Sequence, residues 1–231
     1  MSELRVALIA EGPTDRVIIE SALRAILPAP FTLALLQPEP THPQLGSGWC
    51  GVFKWCRAFA ARTPSSLESD PTLPDFDLFV IHVDADVAEA HYTDGGDKLA
   101  AAAQGLPSLP SAKPCPPASA AADEIRACLR AWLGLAQLGS HTVLCVPAKA
   151  SEAWLAAGIL AEADPLLVGL ECNLNVAGQL AGRPVKQRIK KTVREYSQHA
   201  ATLTKNWARV KGCCTQAERF SSEVQAAVPK K

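Results

Sequence analysis

The sequence predicts an α/β fold in which a largely parallel sheet is flanked by helices. Short apolar runs of strand length alternate along the chain with stretches whose apolar residues recur at helical spacing, an alternation that is typical of parallel sheets. Hydrophobic residues make up 48% of the 231 residues and charged residues 20%. This balance supports a sizeable core and excludes wholesale disorder.

Four strands and four helices are expected ahead of the C-terminal quarter. Each strand is an apolar run, and the predicted strands are residues 4–10, 31–36, 76–83 and 141–146. Each helix has apolar residues three or four positions apart, and the predicted helices are residues 16–27, 52–62, 124–138 and 152–160. Pro28 ends the first helix, Ser151 is placed to cap the last, and residues 63–75 are polar enough to form a loop.

Two segments depart from this alternation. Residues 91–121 are rich in Ala, Pro and Ser, which predicts an irregular insertion that is mobile or covers the surface as a flap. From about Pro184 the chain is basic and predicts one or two helices, the first at residues 185–198. We therefore divide the chain into an α/β domain at residues 1–165 and a basic, mainly helical C-terminal extension at residues 166–231.

Several classes of protein are excluded by composition. No apolar run reaches the roughly 18 to 20 residues that a membrane span needs. The first apolar run leads directly into Glu11 without a basic leader or a small-residue cleavage site, so we expect a first strand and a cytoplasmic protein. The 8 cysteines include no C-x-x-C pair, which disfavours zinc and predicts reduced thiols with structural or incidental roles. There is also no P-loop and no nucleophile elbow.

Acidic residues stand where two predicted strands end. Glu11 follows the first strand, and Asp84 and Asp86 follow the third. Carboxyl ends of parallel strands share one edge of the sheet, where ligands gather, so we expect one acidic cleft that Asp15 can also reach. Asp84 and Asp86 are expected to face the same way, with His82 beside them, because side chains two apart in an extended segment do so. Mg²⁺ prefers such oxygen ligands; the alternatives are polar residues that end a strand or interact with a helix dipole.

These residues also carry a family resemblance. The motif Glu11-Gly12-Pro13-Thr14-Asp15 lies between a strand and a helix, and Asp84-Ala85-Asp86 follows a later apolar strand. This order resembles the TOPRIM fold of topoisomerases and primases. The first motif is most similar to that of the overcoming-lysogenization-defect nucleases and of small TOPRIM-like proteins of prokaryotic defence loci. The resemblance covers roughly residues 4–160.

The resemblance implies roles for five residues. It implies that Glu11 is a general acid/base or metal ligand, that Asp84 and Asp86 bind Mg²⁺ (or Mn²⁺), and that Asp15 assists. Glu152, in a first helical turn after the fourth strand, is implied as a further metal ligand; the alternative is a residue that favours the helix dipole. The chain has no ATPase domain, topoisomerase tyrosine domain or primase zinc module, so primase and topoisomerase activities are not expected.

The charge of the chain is unevenly distributed. Residues 1–182 carry 11 Lys and Arg against 20 Asp and Glu, whereas residues 183–231 carry 12 against 3, and the whole chain is neutral. On a single helix, Arg183, Lys186, Lys190 and Arg194 would share a basic face that tracks phosphates. The residues expected to contact phosphate are Lys186, Lys190, Lys191 and Arg194. The alternative is a solvated helix, or one that packs on a protein partner or on residues 1–182, which we call the acidic body.

Two functions follow from these expectations. The first is a Mg²⁺-dependent TOPRIM-like nuclease or phosphodiesterase that acts on nucleic acid, in prokaryotic defence. The second is a non-catalytic or partner-activated subunit of a defence complex, which senses nucleotide or nucleic acid. Its partner would be an ATPase, another protein of the complex or a second copy of this chain. A phosphotransferase of another α/β fold is disfavoured by the motif at Glu11.

Overall fold

A four-stranded, all-parallel sheet with strand order β2-β1-β3-β4 forms the centre of the protein. The structure, a computed structural model, describes residues 3–39, 44–73 and 75–228. Its strands are β1 (Leu4–Ile9), β2 (Phe31–Gln37), β3 (Leu78–His82) and β4 (Thr142–Cys145). The predicted α/β class with a parallel sheet is therefore confirmed.

Helices surround this sheet. In the described residues they are α1 (Pro13–Ile26), α2 (Gly48–Ala60), α3 (Asp97–Ala102), α4 (Ser119–Leu133), α5 (Glu152–Ile159), α6 (Val176–Ala181), α7 (Val193–Lys205), α8 (Trp207–Cys213) and α9 (Thr215–Ala227). Pro13 begins α1, where its missing N–H would have no helical partner anyway. Gly134, at φ 68°, ends α4 in the left-handed conformation that glycine adopts without strain. None of these described helices is both long and apolar enough to span a membrane.

The core lies in two layers, one on each face of the sheet. Val6 and Leu8 of β1 contribute to one hydrophobic cluster, and Ala7 and Ile9 contribute to the other, because successive side chains of a strand point to opposite faces. The first layer contains α1, α5 and α7–α9, and the second contains α2 and α4. Burial on both faces explains why the strands are continuous apolar runs.

The C-terminal helices belong to the first of these layers. Leu203, Trp207 and Phe220 share a hydrophobic cluster with Ile18 of α1. The ring of Trp154 in α5 packs against Trp207 and Phe220, with centroid distances of 5.5 and 5.7 Å. The apolar sides of α7, α8 and α9 thus pack on the acidic body of the protein.

The prediction of one helix at residues 185–198 is wrong. A 3-10 turn at Val185–Gln187 is followed by a non-helical stretch, and α7 begins only at Val193. Thr192 caps α7, since its side-chain oxygen accepts a hydrogen bond from a backbone N–H of the first turn at 3.3 Å. The basic residues that were expected to share one helix face therefore do not share it.

The insertion predicted at residues 91–121 is only partly irregular. It begins with a 3-10 turn at Tyr92–Gly95 and with α3, whose Leu99 is buried. The hydroxyl of Tyr92 accepts a hydrogen bond from Trp132 Nε1 at 2.8 Å. This first part packs against α2 and α4, whereas the rest, up to the start of α4, has no regular structure.

Cys115 and Cys172 form a disulfide, so the expectation of reduced thiols is wrong for this pair. The bond ties the irregular segment before α4 to a 3-10 turn at Leu170–Cys172. The other cysteines are free, and several, such as Cys56 and Cys145, are buried, where Cys packs as a small hydrophobe.

Candidate metal centre

Three of the strands direct acidic residues to one edge of the sheet. Glu11 follows β1, Asp84 follows β3, and Glu152 begins α5 after β4. Glu11 Oε1 accepts a hydrogen bond from the backbone N–H of Asp84 at 2.8 Å, which joins the ends of the neighbouring strands β1 and β3. Asp15 lies in the first turn of α1 and is buried. We call Glu11, Asp15, Asp84 and Glu152 the acidic cluster.

Ser151 connects two members of the acidic cluster. Its hydroxyl donates a hydrogen bond to Asp15 Oδ1 at 2.7 Å, and its backbone N–H donates one to Asp84 Oδ1 at 2.9 Å. Ser151 has helical backbone angles (φ −58°, ψ −23°) instead of the extended ones typical of a capping residue, and its side chain does not cap α5. The predicted capping bond is therefore wrong. Ser151 instead holds two buried carboxylates close together.

His82 completes a set of side chains that can share one cation. Its Nε2 lies 3.1 Å from Asp84 Oδ1. One ligand atom each from Asp15, His82 and Asp84 lies within 4.8 Å of the other two, and all three residues are buried. Carboxylates suit Mg²⁺ and Mn²⁺, and an imidazole extends the range toward later transition metals. The residues present therefore fit a divalent cation.

Asp86 is oriented differently from the expectation. The chain leaves Asp84 in an extended conformation but enters a 3-10 turn at Ala85–Glu89, so the alternation of an extended segment does not reach Asp86. Asp86 is exposed and is not among the three residues that can share a cation in the described part of the chain. The expected extended geometry is wrong, and a role of Asp86 in metal binding stays a prediction.

Glu152 is fully buried and is paired with the C-terminal segment. Its Oε1 lies 2.8 Å from Lys191 Nζ and accepts a hydrogen bond from the Tyr196 hydroxyl at 3.1 Å. Its Oε2 makes no hydrogen bond with any residue that the structure describes. Lys191, which was expected to contact phosphate, thus lies against the acidic cluster instead.

The electrostatics of the cluster follow from burial and crowding. Burial raises the pKa of Asp84 well above its ordinary value, and the nearby charges of Asp15 and Glu152 raise it further. Burial, followed by the charge of Asp84, raises the pKa of Glu11 in the same way. Burial disfavours the charged form of Lys191, but the carboxylates, led by Glu152, outweigh it and raise the pKa of this lysine. The cluster carries more carboxylates than this one ammonium can neutralise.

The other predicted phosphate contacts surround Lys191 in sequence. Lys186, Lys190 and Arg194 are exposed, and their side chains form no ion pair with the described residues. They lie on the 3-10 turn, on the non-helical stretch and in the first turn of α7. They are therefore available to an anion, although not as a single helical stripe.

Sequence reasoning missed two contacts of this centre. The role of Ser151 between two carboxylates and that of Tyr196 beside Glu152 depend on residues far away along the chain. The signal available for Ser151 was its place immediately before Glu152, after a predicted strand. Tyr196 gave no signal beyond its apolar spacing on a helix.

Comparison with known proteins adds no relative, since no family model, no curated protein and no solved structure matches this chain. The TOPRIM resemblance therefore rests on the motif residues alone.

Proposed function

We propose that this protein is a metal-dependent phosphodiesterase that acts on nucleic acid, with a TOPRIM-like site at the carboxyl edge of its sheet. The observation that supports this proposal best is the convergence of Asp15, His82 and Asp84, with one ligand atom from each within 4.8 Å of the others. The arrangement joins the two motifs on which the resemblance rests, because the first motif supplies Asp15 and the second supplies Asp84.

The residues of the site have separate tasks in this proposal. Asp15 and Asp84 hold a divalent cation, and Ser151 fixes the distance between them. A bound Mg²⁺ or Mn²⁺ supplies neutralisation of phosphate charge and polarisation of its oxygens. Burial and the charge of Asp84 raise the pKa of Glu11, which suits this residue to deliver a proton to the leaving oxygen as a general acid.

The basic segment offsets the repulsion between nucleic acid and the acidic body. Residues 1–182 carry a net charge of −9, so phosphate needs a separate source of positive charge. Lys186, Lys190 and Arg194 supply exposed cations next to the segment that contacts Glu152. Neutralising these three side chains should weaken binding to duplex DNA. The slope of log binding constant against log salt concentration should become less steep by about 0.9 per lost phosphate contact. An unchanged salt slope would assign these residues to a protein partner instead.

A second function is favoured by the enclosure of the site. Asp15, His82 and Asp84 are 3%, 0% and 6% exposed, so a phosphate reaches them only if neighbouring segments move. A partner that opens the site would make the protein a conditionally active subunit of a defence complex, in accordance with the resemblance. Cleavage that requires an added ATPase or another partner would distinguish this function from the first.

The proposal is tested by incubating purified protein with Mg²⁺ or Mn²⁺ and single- and double-stranded DNA and RNA. We expect cleavage that requires the metal and is lost in Glu11→Gln. The matched control is Glu162→Gln, which removes the same charge at an exposed position and should cleave normally. Bound metal without cleavage of any of the substrates would contradict an independently active enzyme and favour the partner-activated subunit.

A further inference from the structure

The ammonium of Lys191 lies beside the acidic cluster, where a bound metal cation is expected. Among the described lysines and arginines it is the one that forms an ion pair with this cluster, at 2.8 Å from Glu152 Oε1. The backbone around it is fixed on both sides, because Ile189 is buried and donates its N–H to the Leu180 carbonyl at 3.1 Å, and Thr192 caps α7. The side chain itself is 49% exposed and extends from this fixed segment.

A second observation points to a ligand at the same position. Glu152 is fully buried, yet its Oε2 has no hydrogen-bond partner among the residues that the structure describes. A buried carboxylate oxygen without a partner is costly, and such a group in a native protein indicates a water or an ion that belongs there. Lys191 satisfies one oxygen of Glu152 and leaves the other unpaired.

We propose that Lys191 competes with a divalent cation for Glu152 and thereby sets the affinity of the acidic cluster for metal. In the metal-free protein the ammonium occupies part of the cluster; when metal binds, the flexible lysine stem withdraws toward solvent and leaves Glu152 to the metal. This inference rests on the proposed function in that the cluster binds a divalent cation, and it adds Glu152 to the possible ligands Asp15, His82 and Asp84. It does not require the bound metal to support hydrolysis.

The size of the competition follows from linkage between two ligands of one site. Coupling free energies between such ligands correspond to changes in affinity of about 5- to 150-fold, and the coupling is reciprocal. Since Lys191 contacts a fully buried carboxylate, we expect its removal to tighten metal binding by about tenfold. The side chain of the adjacent Lys190 is exposed and forms no ion pair with the part of the chain that the structure describes, so solvent and salt screen its effect on the cluster.

The test compares Mn²⁺ affinity, measured by electron paramagnetic resonance, in the wild-type protein, Lys191→Met and Lys190→Met. Met keeps most of the lysine stem without the charge. We expect Lys191→Met to bind Mn²⁺ about tenfold more tightly than the wild type, and Lys190→Met to bind like the wild type. Thermal unfolding provides a second readout: Lys191→Met should lose stability without metal and should gain more from Mn²⁺ than the wild type does.

Each outcome separates this inference from the proposed function. Equal or weaker Mn²⁺ binding by Lys191→Met, with no larger thermal gain from Mn²⁺, would overturn the competition while leaving the metal site in place. Tighter binding in both lysine variants would also overturn it, because it would show a general charge effect. Absence of Mn²⁺ binding in all three proteins would overturn both proposals, whereas tighter binding by Lys191→Met alone, without cleavage of nucleic acid, would support the competition and contradict the hydrolysis.

Discussion

Asp84→Asn should stabilise the metal-free protein, because it removes a buried charge that lies among other carboxylates. The ligand atoms of Asp84 and Asp15 lie within 4.8 Å of each other. At an effective dielectric constant of about 20, two like charges at this distance repel by about 3.5 kcal/mol. The Asn oxygen can still accept the hydrogen bond from Ser151, but the bond to a neutral acceptor is weaker by about 1 to 1.5 kcal/mol. The net gain is therefore about 2 kcal/mol when both aspartates are ionised.

The stability that Asp84→Asn gains over the wild type should increase with pH. Burial raises the pKa of Asp84 in the folded protein, so the folded state holds a proton more tightly than the unfolded chain does. The wild type therefore loses stability as pH rises from the ordinary carboxyl pKa of about 4 through the raised pKa of Asp84. Asp84→Asn does not titrate at this position, so its advantage in stability is smaller at pH 5 than at pH 8.

The assay is thermal unfolding in the presence of a chelator, at pH 5 and at pH 8. A gain of about 2 kcal/mol corresponds to a rise in Tm of roughly 4 to 8 °C for a chain of this size. Asp97→Asn is the control, because it removes the same charge at an exposed position and should leave Tm nearly unchanged. A Tm of Asp84→Asn at pH 8 that is equal to or below that of the wild type would show that the charge of Asp84 does not destabilise the metal-free protein.

Three further substitutions or treatments test contacts between distant parts of the chain. Ser151→Ala should lower the free energy of unfolding by about 1 to 3 kcal/mol in denaturant titrations and weaken Mn²⁺ binding, because two buried carboxylates lose their connection. Gly158→Ala should lower the free energy of unfolding by up to about 2 kcal/mol in the same assay, because overpacking outweighs the roughly 1 kcal/mol that Ala gains over Gly in a helix. The new Cβ would lie 2.5 Å from Leu203 Cδ1 and 3.2 Å from Leu203 Cα, and a gain in stability would disprove the close contact of α5 and α7. Reducing the Cys115–Cys172 disulfide should lower the free energy of unfolding by about 2 to 5 kcal/mol and lower the Tm. Cys115→Ser should show the same lowered Tm, and adding reductant should not lower it further.

The sheet and the position of its acidic edge could be predicted from local sequence alone. Apolar runs that are buried on both faces identify strands without knowledge of their partners, and parallel strands place their carboxyl ends at one edge. Glu11 and Asp84 therefore lie together, as predicted, and are joined by a hydrogen bond of 2.8 Å. Asp15 follows from the first motif because it lies in the first turn of a helix that begins at Pro13.

The remaining features depend on contacts between distant parts of the chain. Ser151 bonds to Asp15, which is 136 residues away, instead of capping its own helix. Lys191 pairs with Glu152 because the helix predicted around it begins later, at a capping Thr192. No local spacing pattern could reveal these contacts, nor the disulfide between cysteines that are 57 positions apart.

The metal centre is tested by titrating Mn²⁺ into the wild-type protein and into Asp84→Asn at pH 8. We expect saturable binding to the wild type and to Asp97→Asn, and loss of that binding in Asp84→Asn, whose fold is verified by its Tm. Binding of equal affinity in Asp84→Asn, or no binding to the wild type, would contradict the assignment of a metal centre to Asp15, His82 and Asp84.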